Sequence, residues 1–215
     1  MMTGQKTNAG LIGVGSKAQR QSCASSRGQH LPSVLELAES KGISTGIVTT
    51  TRLTHATPAS AYAHVPERDW ENDRDLTDEA RQNGCTDIAT QLIEFPHGDG
   101  IEVALGGGRI NFLPDNMADP EGADVREARL ENRDLTQEWL QKDPNSAYIW
   151  NQRQFESIDP QSTDHLLGLF ESDHMQYEAD RDDDTGGEPS LAQMTKLAIE
   201  ILSRNLDGYF LLVEG

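Results

Sequence analysis

Residues 189–215, PSLAQMTKLAIEILSRNLDGYFLLVEG, decide the fold. Leu191, Met194, Leu197, Ala198, Ile201 and Leu202 recur at the 3.6-residue spacing that lines one face of a helix. Asn205-Leu206-Asp207-Gly208 then interrupts the pattern with turn-forming residues. Tyr209–Val213 follows as a nearly all-apolar run. Strands of parallel sheets have both faces covered and read this way. Helix, tight turn and buried strand in series therefore predict an α/β fold, with helices on both faces of a mostly parallel central sheet.

The same alternation runs upstream. LPSVLELAESKG (31–42) places apolar Val34, Leu35 and Leu37 among helix formers and ends in Lys41-Gly42, a stop signal. ISTGIVTTT (43–51) is rich in β-branched residues and reads as a buried strand. Thr57-Pro58 predicts a helix start, with threonine as N-cap and proline first in the helix. TDIATQLIEF (86–95) sets Ile88, Ala89, Leu92 and Ile93 on one helical face. IEVALGGGR (101–109) reads as a short strand closing in a glycine turn, LTQEWLQK (135–142) as a helix and HLLGLF (165–170) as a central strand. The polar stretches 114–134 and 176–190 read as long surface loops rather than domain boundaries, so 1–215 is taken as one unit. No internal repeat is visible.

Composition narrows the function classes. Apolar residues make up 35%, so much of the surface is polar, and 36 acids against 18 bases give a formal charge of −18. Such a field repels nucleic acid and anionic membranes, and it repels a phosphorylated substrate unless cations reverse it locally. Among the bases, only Lys6, Lys17, Lys41, Lys142 and Lys196 are lysines, and an acid-rich, lysine-poor surface is the expectation for a salt-adapted protein. No run approaches the roughly 20 apolar residues that span a bilayer, and MMTGQKTNAG lacks the apolar segment of a signal peptide. On composition alone, Cys23 and Cys85 read slightly better as two thiols than as a disulfide.

In parallel sheets, ligands bind beyond the carboxyl ends of the strands. Two strands here end in polar groups. Ile47-Val48 leads into TTTRLTHATPASAYAHVPERDW (49–70), and Leu211-Leu212-Val213 ends at Glu214. A carboxylate after an apolar strand suits a hard cation such as Mg2+; pairing with an arginine or exposure to solvent serves equally. Thr57 reads as a cap or an oxygen ligand. Arg68 reads as a phosphate clamp or as an ion-pair partner of its neighbours Glu67 and Asp69. His55 has no partner visible in sequence.

Two stretches are set aside. GGGR (106–109) lacks the second spaced glycine and the Lys-Ser/Thr of a phosphate loop, and reads as a tight turn. DRDDDTGGE (180–188) has carboxylates at alternate positions, but its glycine is misplaced for an EF-hand and Leu191 stands where the final glutamate belongs.

Together these stretches resemble alkaline phosphatase, near the animal-type and related bacterial enzymes. GIVTTTRLTHATPASAYAHVPERDW is similar to the family signature that runs from a core strand to the phosphate-binding arginine. GCTDIATQLI, LGGGR, LTQEWL, YIWN, HLLGLFE, LSRN and FLLVEG match further family blocks in the same order.

The resemblance implies a three-layer α/β/α phosphomonoesterase that hydrolyses phosphate monoesters through a phosphoserine, with Zn2+ and Mg2+. It implies that Thr57 and Glu214 ligate Mg2+, that His55 lies beside that ion and holds metal-bound water or leans toward the phosphate, and that Arg68 grips two phosphate oxygens. It implies a Cys23–Cys85 disulfide, which reverses the preference from composition. Glu121, the Phe170 carbonyl, Glu171 and Glu188 fall on the family's occasional Ca2+ site, with Glu188 replacing the usual aspartate. A homodimer in a periplasmic or extracellular setting is implied as well. The sequence departs from the family in two respects: no serine stands in the Asp-Ser-Ala/Gly nucleophile motif, and the family's Asp-x-x-x-His and Asp-His zinc segments are expected outside the blocks matched here. The expectation is an internal fragment, incomplete at both ends and inactive alone, or a non-catalytic metal- or phosphate-binding remnant. Sulfatases and phosphodiesterases rank behind, because they lack the ordered blocks.

Overall fold

Five strands form one sheet in the order β3-β4-β2-β1-β5, with every neighbouring pair parallel. They are β1 (Ser44–Arg52), β2 (Val103–Gly107), β3 (Ser146–Ile149), β4 (His165–Leu169) and β5 (Tyr209–Glu214). Eight helices accompany them: α1 (Cys23–Ser26), α2 (Val34–Glu39), α3 (Ala56–Ala59), α4 (Asp78–Asn83), α5 (Ile88–Ile93), α6 (Leu135–Leu140), α7 (Gln152–Glu156) and α8 (Leu191–Leu202). The structure is a computed structural model and describes all 215 residues.

Alternation along the strands builds the three expected layers. Ile47, Ala104, Leu167 and Leu169 join a core with Leu35, Ile88, Leu92, Leu135 and Trp139, under α2, α5 and α6. Val48, Val103, Leu105 and Leu166 point to the opposite face and pack with Met194, Leu197, Ala198, Ile201 and Leu202 of α8. Period 2 in the strands and period 3.6 in the helix thus meet across one interface. The close approach of α8 needs Gly46, where an added Cβ would lie 2.8 Å from Leu202 and 3.0 Å from Leu211. α8 starts on a capping box in which Ser190 and Gln193 satisfy each other's backbone N–H groups.

Three local expectations are corrected. β5 is an edge strand with half-covered side chains, because it has a neighbour only on the β1 side. In α2, Leu35 is buried but Val34 and Leu37 are exposed, and Glu36 and Glu39 turn inward instead. Half-polar Ser146–Ile149 carries no strand pattern of its own and becomes β3 by pairing with β4.

Candidate functional site

The loops leaving β1, β2, β4 and β5 carry most of the predicted site residues, so the sheet brings them to its carboxyl edge. After β1 the chain turns at Leu53, whose N–H donates to the Gly107 carbonyl at 3.0 Å. α3 then begins at Ala56, not after Thr57. Pro58 sits comfortably in the first turn, where backbone N–H groups have no helical partner. His55 is the N-cap but makes no capping bond through its side chain, which leaves the ring free to point elsewhere. Thr57 is exposed.

The His55 ring turns to Arg68. Nε2 lies 3.1 Å from an Arg68 guanidinium nitrogen. Arginine can only donate, so Nε2 accepts and the ring proton sits on Nδ1, which is buried without a partner. Burial holds the imidazole below its ordinary pKa, and the Arg52 and Arg68 charges add to that, so the ring is neutral.

Of its two acidic sequence neighbours, Arg68 meets only Asp69. Glu67 is buried and gripped by the fork of Arg20 at 2.7 and 2.8 Å, and Arg20 also reaches Asp69 at 3.1 Å. Arg68 keeps only a loose 3.7 Å approach to Asp69, and its side chain is 40% exposed. Its backbone N–H donates to Gly10 at 2.8 Å, and the side chain lines a cavity of about 220 Å3 with Gly10, Ala56 and Ser60.

Glu214 is half-buried and meets hydroxyls rather than an arginine. It pairs in register with Thr49, and its Oε2 accepts from the hydroxyls of Thr49 (2.9 Å) and Thr51 (3.2 Å). α3 packs on both β1 and β5, so the helix bearing Thr57 neighbours the strand bearing Glu214. The cavity at Arg68 includes neither Thr57 nor Glu214 in its wall.

A polar network that sequence reasoning missed supports this edge. Arg52 forks onto Glu71 at 2.8 and 2.7 Å and reaches Asp173 at 2.6 Å. Thr54 and Asn111 donate to the same carboxylate at 2.6 and 3.2 Å, and Glu71 is held below the usual carboxylate range because these bonds outweigh its burial. No local signal marks it, since Arg52 and Asp173 are 121 residues apart.

A second group lies between the ends of β2 and β4. Gly108 adopts φ +92°, and a Cβ there would strike Arg52, so GGGR is the tight turn the spacing indicated. The turn delivers Arg109 into the interior, fully buried, where it forks onto Asp119, reaches Glu121 and donates to the Leu169 carbonyl at 2.8 Å. Gln176 bridges Glu188 and Glu171, donating to each at 2.9 Å. Burial raises the pKa of Glu121, Glu171 and Glu188, the last to about 8, and mutual repulsion with Asp184 adds to each shift. One oxygen each of Glu121, Asp184 and Glu188 is buried without a partner. Unpaired buried carboxylate oxygens at mutual repulsion fit a hard dication in chemistry. Phe170, whose N–H donates to Gly106 at 2.9 Å, leaves β4 beside them. Asp184 was not singled out from sequence, where it is one of several aspartates in an acidic loop.

As they stand, no three His, Cys, Asp or Glu side chains surround a common centre that could hold a metal ion. Glu214 and Thr57 offer oxygen donors of the type Mg2+ takes, but as a partial set, and these residues supply no ligand set that fits Zn2+. Cys23 and Cys85 are disulfide-bonded and tie α1 to the end of α4. No helix is long and apolar enough to cross a membrane.

A parallel sheet in three layers, with an arginine–histidine pair and a carboxylate on the loops at its carboxyl edge, defines an α/β protein of the three-layer class. The sequence profile of the alkaline phosphatase family matches residues 1–215, and the chain belongs to that family. It is 44% identical to the tissue-nonspecific alkaline phosphatase of Felis catus over 220 residues, covering 100% of this chain and 41% of that protein. It is 43% identical to the membrane-bound alkaline phosphatase of Bombyx mori over 222 residues, covering 100% of this chain and 40% of that protein. Among solved structures, the Thermus thermophilus alkaline phosphatase superposes with a TM-score of 0.67 at 29% identity, over 99% of this chain and 36% of that one. The cold-active alkaline phosphatase of Shewanella sp. gives 0.66 at 25%, over 99% and 39%. The chain thus spans about two fifths of the curated relatives it matches.

Proposed function

We propose that these residues form the phosphate-gripping part of a phosphomonoesterase, with Arg68 as the clamp. The observation that carries this reading is the divided labour of Arg20 and Arg68. Arg20 neutralises Glu67 and shares Asp69, so the Arg68 fork keeps donors for two oxygens of a phosphate monoester. His55 takes one Arg68 N–H through Nε2 and keeps a buried Nδ1–H without a partner, a donor suited to a phosphate oxygen or to water. Both groups offer positive or donor character where negative charge develops in phosphoryl transfer.

Thr57 and Glu214 are the residues that would hold Mg2+, and Glu121, the Phe170 carbonyl, Glu171 and Glu188 those that would hold Ca2+. When bound, Mg2+ would supply Lewis-acid stabilisation of the reacting oxygens. The phosphoserine route needs a serine that no motif in this sequence supplies, so no step is assigned to a nucleophile here. Homodimerisation and a periplasmic or extracellular setting belong to the same reading, and the intrachain disulfide accords with the second of these.

Inorganic phosphate binding tests it. The 215-residue chain should bind phosphate, and Arg68→Ala should weaken that binding by about 1.5–3 kcal/mol, the range for hydrogen bonds to a charged group. Equal affinity in both proteins would refute the clamp. Phosphate binding without p-nitrophenyl phosphate turnover would favour the non-catalytic reading for the chain as it stands.

A further inference from the structure

The loop after β4 carries His174, an exposed residue to which neither the family resemblance nor the reading above assigns a role. Its ring stands edge-on to His55, with centroids 5.4 Å apart and planes at 76°. It is also fastened from behind. The Arg52 backbone N–H donates to Nδ1 at 3.2 Å, and an Arg52 guanidinium nitrogen lies 2.9 Å from Nε2. Both groups are donors, so a neutral ring accepts from one of them at a time. Arg52 is itself immobilised by the Glu71 fork and by Asp173. The loop backbone is pinned on either side, with Gly108 donating to the Glu171 and Asp173 carbonyls and Met175 donating to Thr50. A surface histidine held this firmly is a rigid wall rather than a mobile side chain.

We infer that His174 is a positioning residue for the phosphate clamp, holding the His55 ring so that Nε2 takes one Arg68 N–H and the rest of the fork faces outward. The inference rests on the phosphate-binding reading of Arg68, and its physical basis is preorganisation. His55 makes no capping bond, and its one polar contact is the 3.1 Å approach to Arg68, so the edge contact with His174 sets its rotamer. Without that wall His55 swings, and the Arg68 side chain gains rotamers that phosphate binding must freeze again.

The test uses the 215-residue chain with His174→Ala and His174→Phe, following the His55 ring resonances by NMR and inorganic phosphate binding by titration calorimetry. His174→Ala should shift or broaden the His55 ring signals and weaken phosphate binding on the order of tenfold, as expected when a binding group loses its alignment. His174→Phe keeps an aromatic edge without the ring nitrogens, and should preserve the His55 signals and most of the affinity. A merely structural role predicts loss of thermal stability and a ring-current shift of the His55 signals without broadening, with phosphate affinity unchanged. Unmoved His55 signals in His174→Ala overturn the inference, whatever the affinity. If the wild-type chain binds no phosphate while the Ala variant still broadens the His55 signals, the clamp reading fails and the positioning of His55 stands.

Discussion

Arg20 grips both oxygens of Glu67 across 47 residues of sequence, and in doing so leaves Arg68 without a close carboxylate partner. Removing Arg20 should therefore reach the proposed phosphate clamp indirectly. Arg20→Ala frees Glu67 and Asp69 to pair with Arg68, and phosphate affinity should fall roughly two- to fivefold, in line with exposed ion-pair energies. Titration calorimetry on the two proteins measures it, and the effect should shrink in high salt.

Arg109 is the most consequential buried charge. It neutralises Asp119 and Glu121 together and caps the Leu169 carbonyl at the end of β4. Arg109→Ala leaves two carboxylates buried without a cation and should cost about 3–5 kcal/mol in urea unfolding. Arg109→Lys should rescue little, because a point charge cannot bridge three acceptors in a plane.

The disulfide closes a 62-residue separation between Cys23 and Cys85. Loop-closure entropy for a ring of that size corresponds to about 4 kcal/mol. Cys85→Ser should lower the unfolding midpoint accordingly, and reducing agent should produce the same drop in wild type but none in the variant.

Stability should also depend on a carboxyl far from the carboxyl edge of the sheet. Burial pushes Glu39 up to about 8, and repulsion from Glu102 and Asp99 adds to this, while Thr45 donates to it at 2.5 Å. The folded protein thus keeps a proton that the unfolded chain releases near 4.5. A raised acid favours folding below the unfolded pKa, and that advantage drains away as pH rises toward 8. Glu39→Gln keeps an acceptor for Thr45 without the charge, so its melting temperature should decline less between pH 4.5 and 8.

The orphaned oxygens of Glu121, Asp184 and Glu188 give a metal prediction that needs no activity. Added Ca2+ should raise the melting temperature of this chain, by an amount equivalent to about 2.7 kcal/mol once free Ca2+ reaches one hundred times Kd. Glu188→Gln should abolish most of that rise. A wild-type melt indifferent to Ca2+ would show that Arg109 alone balances the group.

The amino-acid sequence by itself determined the alternation of helix and strand, the parallel sheet and the glycine turn at 106–109. Each depends on side-chain period or turn chemistry among residues close in the chain, as in Leu191–Leu202 and Val103–Gly107. The ordered family blocks also marked His55, Arg68 and Glu214 as candidates. What only the tertiary structure decided is who neutralises whom. Nothing local tells that Arg20 takes Glu67, that Thr49 and Thr51 hold Glu214, or that His174 walls His55. Nor does it tell that β5, apolar as it is, lies at the sheet edge in this chain. Charges and hydroxyls carry no periodicity, so their partners are chosen by which loops the sheet happens to bring together.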